Sequence, residues 1–320
     1  MRIDPAIPNP SLLFEPVEDL YGTRLALIFG NEASGGVCPF YRRKCFYCDI
    51  GAGESVQFDP AKNGRRLTFF RDHYKLVLPS VAHLVLYNSG SVLNPRELSA
   101  ASLGIILEYA RGLANCRVVS LDSREPFITP VHLDRVVSVL REDQQARPIP
   151  GLETQKDEVR VGVLNKRMSR DSVEAAFRPI GQYHGRVGLD INIVFGLPPL
   201  EGLEAIAEAV ATARFGLELA ERHGVAVDFN FHPYYPSRIG RDHFPAHPRA
   251  ELGAAPEAAA LIKEVILRSG CLSRIFIGWQ DEDHDQETTA RRTELARYRE
   301  LFHRFNVAQK PCRAGPLGDV

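Results

Sequence analysis

Short apolar runs rich in Val, Ile, Leu and Phe recur along the chain, and stretches with helical periodicity separate them. The runs are "TRLALIFG" (Thr23–Gly30), "HLVLYNSG" (His83–Gly90), "CRVVSLDS" (Cys116–Ser123), a weaker "RPIPGLET" (Arg147–Thr154), "GRVGLDINIVFG" (Gly185–Gly196) and "VAVDFNFHPY" (Val225–Tyr234). Near-continuous apolar runs flanked by helices predict parallel strands buried on both faces. Among the intervening helices, Asn94–Leu113 has Pro95 in its first turn, Ser169–Gly181 opens on a capping serine, and Glu201–Gly224 stops on glycine. A further helix (Ala255–Gly270), a short strand "RIFIGW" (Arg274–Trp279) and a last helix (Asp285–Phe305) follow. Six β–α units predict a doubly wound sheet or an incomplete (β/α)6 barrel. With no repeat or long linker, the expected organisation is one α/β domain over 23–250, an N-terminal extension over 1–22 and a C-terminal α/β extension over 251–320.

Composition narrows the classes. A formal net charge of −1 gives no global attraction to nucleic acid or an anionic membrane. The opening "MRIDPAIPNPSLLFEP" is broken by proline and carries acids where a signal peptide needs an apolar run, and no stretch approaches the roughly 20 apolar residues of a membrane span. A cytoplasmic protein without membrane partners is expected. Six cysteines in 320 residues are too few for a disulfide scaffold. Cys116 and Cys271 read as buried small hydrophobes, and Cys312 lies in a tail where a functional role is open.

The other three cysteines crowd into "VCPFYRRKCFYCDIG" (Val37–Gly51), at C-x6-C-x2-C. The loop follows the first strand and so reaches the C-terminal edge of the sheet, where α/β folds bind ligands. Asn88, Ser89, Ser123, Glu153, Asn192, Asn230 and His232 fall at or near the same edge. Arg42, Arg43 and Lys44 within the loop would favour thiolates. Structural zinc takes four ligands, so a zinc clip would need a distant fourth such as His73 or His83. A 4Fe–4S cluster held by three thiolates would instead keep one iron open to a ligand with an amino and a carboxylate group. An acidic loop at "WQDEDHDQE" (Trp279–Glu287) reads as solvated.

A cysteine loop after the first strand of a β/α barrel, with Tyr47 just before the last cysteine, resembles the radical S-adenosylmethionine (SAM) superfamily, whose usual spacing is C-x3-C-x2-C. With "YNSGSVLNPRELS", "VVSLDSREPFIT", "GLETQKDEVRVGVLNKRMS" and "INIVFGLPP" following in order, the chain looks like the branch containing the catalytic subunit of Elongator, and more closely the radical subunit of archaeosine synthase. The resemblance spans roughly Leu25 to Tyr235 and implies two cofactors, a 4Fe–4S cluster and SAM. It assigns the cluster to Cys38, Cys45 and Cys48, and SAM to Tyr47 (adenine), Asn88, Ser89, Gly90 and Ser91 (amino group), Ser123, Arg124 and Glu153 (ribose), Lys166 (carboxylate) and Asn192.

Asn230, His232, Tyr234 and Tyr235 would line a substrate pocket, reached through the lateral opening of an incomplete barrel. The implied chemistry is reductive cleavage of SAM to methionine and a 5′-deoxyadenosyl radical that abstracts hydrogen. Electrons would come from a reductant protein such as flavodoxin or ferredoxin. The substrate is open between a small molecule, a peptide and tRNA. Transfer of an aminocarboxypropyl group from SAM, and a non-catalytic zinc-bearing binding protein, are the alternatives.

Overall fold

Each apolar run becomes a strand because its alternate residues meet helices on one side and a filled lumen on the other. The computed structural model describes residues 7–8, 12–48, 54, 56–278 and 289–309. In chain order the elements are β1 (Val17–Asp19), β2 (Gly22–Phe29), α1 (Pro60–His73), β3 (Val81–Asn88), α2 (Ala100–Gly112), β4 (Val118–Asp122), α3 (Pro130–Val139), β5 (Gln145–Ile149), α4 (Arg170–Phe177) and β6 (Leu189–Phe195). There follow α5 (Gly202–His223), β7 (Val227–Pro233), α6 (Arg238–His243), α7 (Ala255–Ser269), β8 (Ile275–Ile277) and α8 (Thr289–Ala308).

Strands β2 to β5 pair in sequence order and in parallel, with β1 antiparallel on the outer edge of β2. Strands β6, β7 and β8 form a second parallel ladder. Main-chain bonds join the two, Gly188 N to Ala146 O (3.0 Å) and Glu153 N to Asn192 O (2.8 Å). Leu25, Leu27 and Phe29 of β2 belong to the large apolar layer under the helices, while Ala26 and Ile28 turn inward with Val85, Tyr87 and Ile149. The first and last of the parallel strands, β2 and β8, approach each other: the Arg24 guanidinium of β2 lies 4.6 Å from the Phe276 ring centroid of β8. The result is an open α/β barrel, one of the two architectures that the apolar pattern predicted.

Several local readings change. The second helix begins at Ala100, not near Asn94, because the Ser99 side chain caps Ser102 N and the stretch Asn94–Glu97 is held as a turn. Strand β5 ends at Ile149, which leaves Glu153 beyond it on an isolated bridge to Ile193. Within the N-terminal extension, Val17–Asp19 pair with β2 as β1, and Phe14 packs into the lumen. The lateral opening is covered by α8. On that helix the Asn306 amide bonds both Ile277 N (2.8 Å) and Ile277 O (3.0 Å), and just past its end the Gln309 amide does the same for Ile275. Two side chains thereby replace a neighbouring strand and satisfy the free edge of β8.

The lower end of the lumen, at the strand N-termini, is sealed by polar groups that the apolar pattern concealed. Arg147 Nε lies 2.5 Å from Asp190 Oδ1 and Arg147 Nη2 3.2 Å from Asp228 Oδ2, while the Tyr21 hydroxyl donates to Asp228. His83 joins Asp19 (2.6 Å) to Ser120 (2.8 Å), whose hydroxyl donates to Asp190 (2.5 Å). Among the described residues no helix is long and apolar enough to cross a membrane. Cys116 is buried and Cys271 half-buried against the core. Cys312 and the acidic loop at 279–287 lie outside the described residues.

Candidate functional site

The cysteine loop leaves the C-terminal end of β2 and folds across the sheet edge onto the segment before α4. Cys45 N donates to Asn165 O (3.2 Å), Phe46 N to Leu164 O (2.9 Å), and the Asn165 amide back to Arg43 O (3.2 Å). The Phe46 ring stacks on His243 of α6 at 3.9 Å. Arg42, Cys45, Glu153, Asn165 and Arg167 all hold a positive φ, between 52° and 63°. That conformation costs a non-glycine residue about 1–3 kcal/mol and persists only where surrounding contacts impose it. Here it gathers where the loop meets the strand ends, which marks that edge as a built site.

Beneath the loop, Tyr47 points down to a buried ion pair. Its hydroxyl donates to Glu153 Oε1 (2.9 Å) and accepts from Lys166 Nζ (2.8 Å), and Lys166 lies 2.5 Å from Glu153. Lys166 and Glu153 are 6 % and 5 % exposed, so Lys166 is not a solvated flank. Burial first, then the charge of Glu153, pushes the Tyr47 phenol well above its ordinary value, which keeps it a neutral hydrogen-bonding group. Three residues that the sequence assigned separately to adenine, ribose and carboxylate therefore hold one another.

The glycine-rich turn after β3 is organised by a carboxylate that sequence reading passed over. Glu97 accepts from Ser91 N (2.7 Å) and from the Asn94 amide, and burial raises its pKa. Gly90 sits at φ 148°, and a Cβ there would meet Glu97 Oε2 at 1.8 Å, so the turn needs glycine. Read in sequence, Glu97 is one acid in the opening turn of an expected helix, and nothing in "NPRE" signals that it folds back. Ser89 and Ser91 are buried, and Ser91 Oγ accepts from Arg124 N (3.1 Å).

Asn88 Oδ1 and Ser123 Oγ are buried with no hydrogen-bond partner among the described residues, and Glu125 Oε2, likewise without a hydrogen bond, is ion-paired with Arg124 Nε at 3.6 Å. Orphaned buried polar atoms are costly and call for an explanation. Asn88 ends β3, and Ser123 and Glu125 lie just beyond the end of β4, beside the cysteine loop. An amide oxygen, a hydroxyl and a carboxylate suit the amino and hydroxyl groups of a polar cofactor such as SAM.

The thiols themselves depart from the sequence reading. Burial raises the Cys38 thiol to about 11 and lifts Cys45 above its ordinary value. The cations that oppose this are not Arg42, Arg43 and Lys44. Arg42 and Arg43 are exposed, and Lys44 lies over the Phe40 ring at 4.7 Å. Lys166, from the segment before α4, and Arg124, just after β4, act on Cys45 instead, with Arg124 Nη1 4.0 Å from its sulfur. Among the described residues no three His, Cys, Asp or Glu side chains converge closely enough for a single metal ion. The distant zinc ligands do not serve either. His83 belongs to the polar floor, and His73 ends α1 stacked on Phe69.

The remaining candidates divide. Asn192 is half-buried rather than fully buried, and its Oδ1 accepts from the Asn230 amide at 3.1 Å across β6 and β7. His232 follows on the same lumen face of β7, in register with Val194. Tyr234 lies in the apolar core with its ring 5.5 Å from His247, and Tyr235 carries Arg249 over its ring at 4.4 Å.

The fold class these features define is the open α/β barrel. No protein-family model and no curated protein sequence matches the chain. Similar solved structures include SuiB of Streptococcus suis (TM-score 0.50, 11 % identity, 79 % of this chain and 49 % of SuiB). Elp3 of the archaeon Methanocaldococcus infernus, with its N-terminus deleted, aligns at TM-score 0.47 and 11 % identity over 68 % of this chain and 52 % of its own. TsrM of Kitasatospora setae, a radical SAM methyltransferase bearing cobalamin and a [4Fe-4S] cluster, aligns at 0.39 and 13 % over 68 % and 36 %. The chain thus spans about half the length of SuiB, and what it shares with that structure is the fold.

Proposed function

We propose that this chain is a radical SAM enzyme, with Cys38, Cys45 and Cys48 holding a 4Fe–4S cluster. The observation that supports this best is the placement of all three thiols on one imposed loop, beside the orphaned Asn88 Oδ1 and Ser123 Oγ and the buried Glu125 carboxylate. When bound, the cluster and SAM would supply one-electron cleavage of a sulfonium carbon–sulfur bond. The chain's own residues bind, orient and exclude water. Asn88, Ser123 and Glu125 offer acceptors to SAM amino and hydroxyl groups. Arg124 and Lys166 bring positive charge to Cys45 and favour its thiolate. Tyr47, tied to Glu153 and Lys166, sets the height of the loop above the strand ends.

The substrate, a small molecule, a peptide or tRNA, and the electron donor, such as flavodoxin or ferredoxin, belong to the same proposal. The test is anaerobic reconstitution with iron and sulfide, reduction in the presence of SAM, and mass spectrometry of the products. 5′-Deoxyadenosine is the expected product, and Cys45→Ala should abolish it along with bound sulfide. Methylthioadenosine would redirect the reading to aminocarboxypropyl transfer. Bound zinc without either product would overturn it.

A further inference from the structure

The outer face of the cysteine loop carries charge that the site beneath it does not use. Arg42, Arg43 and Lys44 fill the gap between Cys38 and Cys45, and Arg167 joins them from the segment before α4. The three arginines are exposed and Lys44 is half-buried. Among the described residues none of the four pairs with a carboxylate; their contacts are rings and one amide. The cations that do serve Cys45 are already matched, Lys166 to Glu153 and Arg124 to Glu125. The neighbouring acids do not cancel the surplus. Residues 49–53, outside the described residues, contain one acid, Asp49, and Glu54 pairs with Arg66. On α6, packed on the loop through His243, Arg241 and Asp242 offset each other.

These charges are held in place. Lys44 Nζ lies 4.7 Å from the Phe40 ring centroid, and the Arg42 guanidinium 5.3 Å from that of Tyr41. The Asn165 side chain ties the other two segments together, its amide donating to Arg43 O (3.2 Å) and its Oδ1 accepting from Arg167 Nε (2.8 Å). Arg42, Asn165 and Arg167 all have positive φ, a conformation that surrounding contacts must impose. A fixed group of like charges without counter-charge repels itself and attracts an acidic partner.

Place decides which partner. Arg43 and Lys44 directly precede Cys45, so a molecule seated on them approaches the thiols from the outside. Electron transfer weakens steeply with distance, and its interfaces are small and steered by charge. A flavin carrier presents an apolar ring edge rimmed by acids, which the half-buried Phe40 and Tyr41 among these cations complement; an iron–sulfur carrier has no such ring. We propose that this face docks an acidic flavin-bearing electron carrier of the flavodoxin kind. The electron's destination rests on the radical SAM reading, whereas the charged face does not. One electron leaves the carrier's reduced flavin, which is oxidised, and reduces the cluster by one; no bond of this chain forms or breaks.

The test begins with calorimetric titration of oxidised flavodoxin into the reconstituted chain. Saturable binding is expected, weakening steeply between about 0.05 and about 0.5 M salt. Arg43→Gln combined with Arg167→Gln should weaken it about tenfold at low salt, and lysine at both positions should restore most of it. Arg135→Gln removes an exposed charge on α3 and should leave binding intact. In anaerobic stopped flow, reduced flavodoxin should reduce the cluster about tenfold more slowly in the double glutamine variant. A viologen radical, a small cationic one-electron donor, should be no slower. No saturable flavodoxin binding, undiminished binding in the double variant, or an equal loss with Arg135→Gln or with viologen overturns the proposal. Binding of tRNA in place of flavodoxin would assign the cations to RNA and overturn it too. The two readings fail separately. Cys45→Ala should lose the cluster yet keep flavodoxin binding. Absence of 5′-deoxyadenosine with viologen counts against the radical reading, whereas its formation without any flavodoxin effect overturns the docking face alone.

Discussion

At residue scale, the contact that holds the site together before any cofactor arrives is the buried pair of Lys166 and Glu153, shared by Tyr47. Removing one partner of a buried pair leaves an uncompensated charge, which costs about 3–5 kcal/mol. Lys166→Met should therefore lower the urea-unfolding stability of the cluster-free chain by about that much. Adding Glu153→Gln should recover most of the loss, because no buried charge then lacks a partner. A double variant no more stable than the single one would show that Lys166 acts through packing alone. Lys166 was legible as a basic residue near the site, and Glu153 as a carboxylate at a strand end. Their pairing was not, because 13 residues of chain separate them and a non-glycine φ of 63° at Glu153 makes the approach.

At element scale, α8 performs a task for which its sequence carries no sign. Its Asn306 and, just past its C-terminal end, Gln309 each occupy both main-chain groups of one β8 residue. An unpaired buried N–H or C=O costs about 1–3 kcal/mol. Asn306→Ala should lower stability by about 2 kcal/mol and speed amide exchange at Ile277, with the β2 amides of the opposite edge unchanged. The apolar periodicity announced the helix but not its partner, because asparagine and glutamine read as surface residues until a strand edge is placed against them. For the same reason the cover over the lateral opening could not be foreseen.

At the scale of the whole molecule, the polar floor ties strands from both ladders into one body. Asp190 has its pKa lowered: burial alone would raise it, but Arg147, His83 and the Ser120 hydrogen bond outweigh that. A folded-state pKa below the unfolded value of about 3.9 means a contribution complete above that value and lost as the pH falls through the folded one. Asp190→Asn has no such ionisation to lose. The stability gap between wild type and Asp190→Asn should be widest near pH 7 and should narrow below about pH 5, as urea unfolding at successive pH values would show. Asp228, raised by burial, works in the opposite sense, its contribution being present in acid and lost as pH rises through its folded value.

The order of strands and helices, the parallel sheet and the position of the three cysteines after the first strand were determined by the sequence itself. Apolar periodicity and loop position are properties of neighbours in the chain. Tertiary structure alone decided which cations face the thiols, which carboxylate shapes the turn at Gly90, and what closes the barrel. Arg124 and Lys166 stand 79 and 121 residues from Cys45, yet meet it because parallel strands bring their C-terminal ends to one edge and the segment before α4 folds over that edge onto the cysteine loop. Charge acts through space, and only the folded sheet sets those distances.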